Sequence, residues 1–190
     1  MRSGLVLSII ALVLALHKTS ALALDPCAYI DQSEAAAILG EAVKEGRAGT
    51  VSGFAGGLSC TYFTAAPLAQ RGGTGSIQLV IHEKSTMKDS VYDDPQKFFD
   101  KMLEASRKSR PEKILPVDGV GERAYWQSAG DRLHFIAGPT YFILSVKDLV
   151  KITSQKGRED LEQQVSAHRL QKSRDAALGY ILPKVSAVGK

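Results

Sequence analysis

Histidine is the side chain that changes charge near neutral pH, and beyond His17 the sequence holds three of them: His82, His134 and His168. None has a second imidazole at the H-x-x-x-H spacing that would bring two rings onto one metal, so no metal site is legible. His82 and His134 fall in strand-like runs and could meet across a sheet. With Glu83 they form the acid/base candidates of a hydrolase-type site assembled from separated strands. A lone sheet histidine is more simply a surface or hydrogen-bonded residue. Nucleophilic catalysis needs a hydroxyl or thiol beside a base, and neither G-x-S-x-G nor S-x-x-K in a supporting context is present. No catalytic residue is therefore assigned, and the sequence favours a non-enzymatic reading without closing the question.

Cofactor and anion motifs are equally thin. Gly119-Val120-Gly121-Glu122-Arg123-Ala124 fits G-x-G-x-x-[GA] in letters. A dinucleotide site would need a strand before it and a helix after it, whereas AYWQS downstream is strand-like, so a glycine turn is expected and no cofactor. Gly72 to Ser76 lacks the Lys-Ser/Thr ending of a phosphate loop. Basic residues cluster over Lys101–Lys113 and Lys151–Lys172, but acids are interspersed. That is a solvated face, not a nucleic-acid surface.

Two places remain as binding candidates. Tyr125-Trp126 lies in a strand-like run, where neighbours point to opposite faces. If Trp126 alone is covered, Tyr125 faces out as an anchor for a partner; helices on both sides of the sheet, the favoured arrangement, would cover both. Arg71 to Gly75 is a Gly-rich loop through which an inhibitor or immunity protein could make its contact.

The elements that must position these residues follow from patterning. Of 190 residues, 44% are hydrophobic and 23% charged, the proportions of an ordinary globular chain. Arg2, the apolar run Leu5–Leu16, polar His17–Ser20 and Ala21-Leu22-Ala23 read as a signal peptide cleaved after Ala23. The remaining 167 residues make one domain, 24–190, with 22 basic and 20 acidic side chains. Export would leave Cys27 and Cys60 in an oxidising compartment, where they would form one disulfide closing a loop of about 34 residues. A redox pair would want Cys-x-x-Cys proximity, and lipid attachment at Cys27 would want small residues where Leu24-Asp25-Pro26 stands.

Asp31 and Glu34 form a capping box ahead of a helix over Gln32–Leu39, stopped by Gly40. Asp93-Asp94-Pro95 opens a second helix ending near Ser109, with a Phe98, Phe99, Met102, Leu103 stripe. A third, patchier helical stretch runs from Arg158 to about Ile181 and could be two helices. Strands are expected over Leu58–Ala65, Ser76–Glu83, Glu122–Ser128, Arg132–Ala137 and Thr140–Val146, with Gly46–Gly57 and Ala66–Gly75 as loops, the second mobile. YFILSV is apolar at every position but Ser145, which suits a central strand covered on both faces. The order argues for an α+β fold: a mostly antiparallel sheet of about five strands against two to three helices.

At Pro26–Ile30, Ala35–Gly40, Ser59-Cys60-Thr61-Tyr62 and Val117–Ala124 the chain resembles small secreted bacterial envelope domains of uncharacterised function, several similar to the PsbP and Mog1 type of fold. The resemblance implies an antiparallel sheet between helices, a Cys before the first helix paired with one opening a later strand, and a non-enzymatic envelope module. The expectation is thus an exported periplasmic binding module whose partner is an envelope protein or small ligand, with no nucleic acid and no stable membrane anchor after cleavage.

Overall fold

The computed structural model describes residues 25–51, 55–67, 73–87, 92–150 and 157–188. The expected signal peptide and Arg71 lie outside the described residues. After a 3-10 turn at Pro26–Ala28 comes α1 (Gln32–Leu39). Its Asp31 side chain accepts from the Glu34 amide, while the Glu34 carboxylate accepts from the Asp31 amide at 2.8 Å. Gly40 closes the helix at φ +74°, a left-handed conformation that glycine adopts without a Cβ clash. β1 (Arg47–Thr50), β2 (Leu58–Phe63) and β3 (Ser76–His82) follow. Then come α2 (Pro95–Ser109), β4 (Ile114–Pro116), β5 (Arg123–Gln127), β6 (Arg132–Ala137) and β7 (Thr140–Lys147). The chain ends in α3 (Arg158–Ala176), a π-helical turn at Ala177–Ile181, and α4 (Leu182–Val188).

Among the described residues seven strands form one antiparallel sheet in the order β1-β2-β3-β7-β6-β5-β4. Seven replaces the expected five because both ends of the sheet are finished by strands that patterning does not reveal. β1 is Arg-Ala-Gly-Thr, exposed at every position, so it shows no alternation and patterning alone reads it as loop. β4 has three residues and contains Pro116, which is tolerated at a sheet edge because no ladder needs its amide. The apolar strand β7 is the middle one of the seven, as its composition requires.

Period two divides the sheet cleanly. One face carries Ile77, Leu79 and Ile81 of β3, Phe142 and Leu144 of β7, and Trp126 of β5, all buried against α1 and the C-terminal helical segments. Fully burying such a side chain contributes about 1.5–3 kcal/mol, so this layer supplies much of the drive to fold. The Cys27–Cys60 disulfide joins the first 3-10 turn to β2 at the edge of that layer. Lys184 of α4 reaches back to Glu34 of α1 at 2.6 Å and to the carbonyls of Ala28 and Tyr29, fastening the two ends of the described chain. The opposite face carries α2, whose Phe98 and Phe99 are buried and whose Met102 and Leu103 pack beside them. At its start Asp94, not Asp93, accepts from the Gln96 and Lys97 amides. Among the described residues no helix is long and apolar enough to cross a membrane.

Candidate functional site

Three rows of side chains run across the α2 face. Register pairs Gln78 with Ser145, Val80 with Ile143 and His82 with Tyr141 between β3 and β7. On the far side of β7, His134 faces Ile143 and Ile136 faces Tyr141. Since Leu133 pairs with Leu144, Arg132 continues the row of Gln78 and Ser145. Between β3 and β7 the rows are therefore polar, then apolar, then aromatic, and on β6 His134 continues the middle row.

α2 covers only part of this face. Over β5 to β7 it packs closely: Phe99 meets Tyr125 and Tyr141 edge-on, with ring centroids 5.3 and 5.4 Å apart. Arg123 lies over the Phe99 ring and pairs with Asp100 at 2.6 Å, and Gln127 donates to the Ser106 hydroxyl. Between α2 and the β3–β7 part of the sheet lies a cavity of about 610 Å³. Val80 and Ile143 floor it, Phe98 and Met102 form the α2 wall, Gln78, Ser145 and Arg132 line one end, and His82 with Gly56 the other. That volume suits a small molecule, and mostly apolar walls with a few polar groups are the usual character of such a site.

Around the His82 end lies a buried aromatic cluster. His82 stacks on Tyr141 at 5.2 Å and meets Phe98 edge-on at 5.0 Å. On the other side of Tyr141, His134 Nδ1 shares a 2.6 Å hydrogen bond with the Tyr141 hydroxyl, and its ring stacks on Tyr125 at 4.5 Å. The two histidines share a face but flank a tyrosine instead of meeting. Burial pushes His82 down to about 4, partly opposed by the Gly56 backbone, and pushes His134 down to about 3. Both rings are neutral at pH 7. Burial raises the Tyr125 hydroxyl to about 12 and Tyr141 well above its ordinary value. Space at His82 is tight: a Cβ on Gly57 would lie 2.7 Å from Nδ1 and 3.0 Å from the Ile81 carbonyl oxygen.

His134 is fully enclosed, and its Nε2 lacks a hydrogen-bond partner among the described residues. His82 reaches the cavity, yet Ser145 is four residues along β7 from the tyrosine that faces His82. That is about 13 Å of strand, too far for a nucleophile and its base. The Glu83 carboxylate accepts from the Thr140 hydroxyl at 3.1 Å. Among the described residues no group of three or more His, Cys, Asp or Glu is placed to hold a metal.

The other sequence candidates are placed as follows. Tyr125 and Trp126 are both buried, at 2% and 0% exposure, because helices cover both sheet faces; Tyr125 therefore has no surface to offer a partner. Trp126 donates from its indole nitrogen to the Ser166 hydroxyl at 3.0 Å, beneath a second hollow of about 690 Å³ between α3 and the β4–β5 edge. Ion pairs such as Arg158–Glu162 and Arg169–Asp131 belong to that region. His168 pairs with Asp148 at 2.7 Å. The Gly119–Gly121 stretch is a turn into β5, as its context requires, with φ of +76° and +59° at the two glycines. Sequence reasoning missed Gln78, Arg132 and Met102. The signal available was Ser145, a lone hydroxyl in an otherwise apolar central strand.

Fold and site together define a disulfide-linked α+β domain, one antiparallel sheet between helices, with a small-molecule-sized cavity on one sheet face. Comparison with protein-family models, with curated proteins and with solved structures finds no match.

Proposed function

We propose that this chain is an exported binding module whose ligand is a small, largely apolar molecule held between α2 and the β3–β7 floor. The observation that carries this reading is the concave, mainly apolar gap between α2 and the sheet, lined by half-buried Val80, Ile143 and Met102. Apolar surface left concave and accessible in this way gains free energy when a ligand excludes water from it. Export is supported by the Cys27–Cys60 disulfide, which persists in oxidising compartments, and by the leader-like N-terminal sequence. The roughly 13 Å between the row of His82 and that of Ser145 favours binding over hydrolysis.

The test is a fluorescence titration of the disulfide-intact protein with the neutral probe N-phenyl-1-naphthylamine. Enhanced emission that saturates, and that weakens about tenfold or more in Val80→Trp with its circular dichroism retained, supports the cavity as the site. Saturable binding that Val80→Trp leaves untouched, or no binding at all, rejects it.

A further inference from the structure

Taking the cavity to be a ligand site, we infer that its ligand is an amphipathic monoanion, a free carboxylate with an apolar tail, whose head lies at Arg132, Gln78 and Ser145. The row across β3, β7 and β6 gathers three hydrogen-bond donors at one end of the cavity. Ser145 is 6% exposed, and its hydroxyl has no hydrogen-bond partner among the described residues. A buried hydroxyl without a partner is costly, and an incoming acceptor would remove that cost. Arg132 is exposed and forms no ion pair among the described residues. Its charge nevertheless reaches this face of the sheet, where it disfavours protonation of His134.

Charge selects the sign of the ligand. Arg132 carries the one formal charge among the described residues lining the cavity, and none of them is an Asp or Glu. A cation would meet repulsion and, among the described lining residues, no acceptor carboxylate. The guanidinium fork matches a carboxylate in two parallel hydrogen bonds, and a single arginine suits a single negative charge.

Spacing selects the rest of the molecule. One row inward from the polar end lie Val80 and Ile143, walled by Phe98 and Met102. From Gln78 to His82 is four residues of β3, about 13 Å. A tail of that reach would run over apolar side chains alone before it met the neutral His82 ring. The ligand is thus charged at one end and apolar for the remainder.

Calorimetric titration with decanoate, decanol and decylamine tests the assignment. Decanoate should bind about tenfold more tightly than decanol, with decylamine the weakest of the three. Arg132→Gln, at an exposed position, should bring the decanoate-to-decanol ratio to about one, and Ser145→Ala should reduce it. Equal decanoate and decanol affinities in the native protein, or a preference that survives Arg132→Gln, overturn the headgroup assignment and leave the apolar cavity standing. Loss of decanoate and decanol binding in a protein that still takes up N-phenyl-1-naphthylamine overturns the amphipathic-anion ligand alone; failure of N-phenyl-1-naphthylamine as well overturns the cavity with it.

Discussion

Protonating His134 means placing a charge between Tyr125 and Tyr141 at a fully buried position, and the fold resists it. Unfolded, both sheet imidazoles take up a proton near pH 6.5; folded, His82 holds out to about 4 and His134 to about 3. The unfolded state therefore binds more protons throughout that window, and stability falls as pH drops below about 6.5. At pH 5 each histidine should cost about 2 kcal/mol relative to pH 7.5. Denaturant midpoints measured between pH 7.5 and 5 should show this decline, and His134→Phe should remove about half of its slope; an unchanged slope would mean that His134 titrates freely. A second residue-scale prediction concerns Gly121, which has φ +59° and sits where a Cβ would approach the Ile136 carbonyl oxygen to 2.1 Å. Because that neighbour is backbone of β6, Gly121→Ala should cost about 2–4 kcal/mol in chemical denaturation. The sequence showed a glycine turn here. It could not show that the turn is pressed against β6, since that contact is made by a strand that comes later in the chain.

At the scale of elements, what was legible had local causes. The α1 capping box, Asp94-Pro95 at the head of α2 and the alternation in β3 each rest on residues a few positions apart, and each appears in the fold. β1 and β4 are strands because β2 and β5 lie beside them, and nothing in RAGT or ILP announces it. The cavity was illegible for the same reason. Gln78, Ser145 and Arg132 are far apart in sequence and become neighbours only through strand register. The third helical stretch was patchy in sequence and proves to contain a π-helical turn, which shifts the side-chain phase between α3 and α4. α2 also carries a prediction: Asp94→Ala removes an acceptor for two amides at the helix start and should cost about 1 kcal/mol. Since α2 forms one wall of the cavity, the same variant should weaken N-phenyl-1-naphthylamine uptake more than a neutral surface change such as Lys101→Ala does.

For the molecule as a whole, the disulfide limits how far the unfolded chain can spread, and it holds the N-terminal turn to β2 when folded. The sequence left only one possible pairing, and the fold contains it. Replacing both cysteines by serine should lower stability by about 2–4 kcal/mol, measured by denaturation against the oxidised protein. Denaturing mass spectrometry of the native material should give a mass two hydrogens below that of the reduced chain, and free thiols would refute the pairing in solution. The two end strands have a consequence for the protein in a crowded compartment. A sheet edge is a template on which another chain can add a strand, and long, flat, apolar edges seed fibrils. Here one rim is four exposed residues that include an arginine and a glycine, and the other is three residues ending in a proline. Neither rim offers a second copy a ladder of useful length, so the apolar middle strands that give the domain its stability are kept from nucleating aggregation.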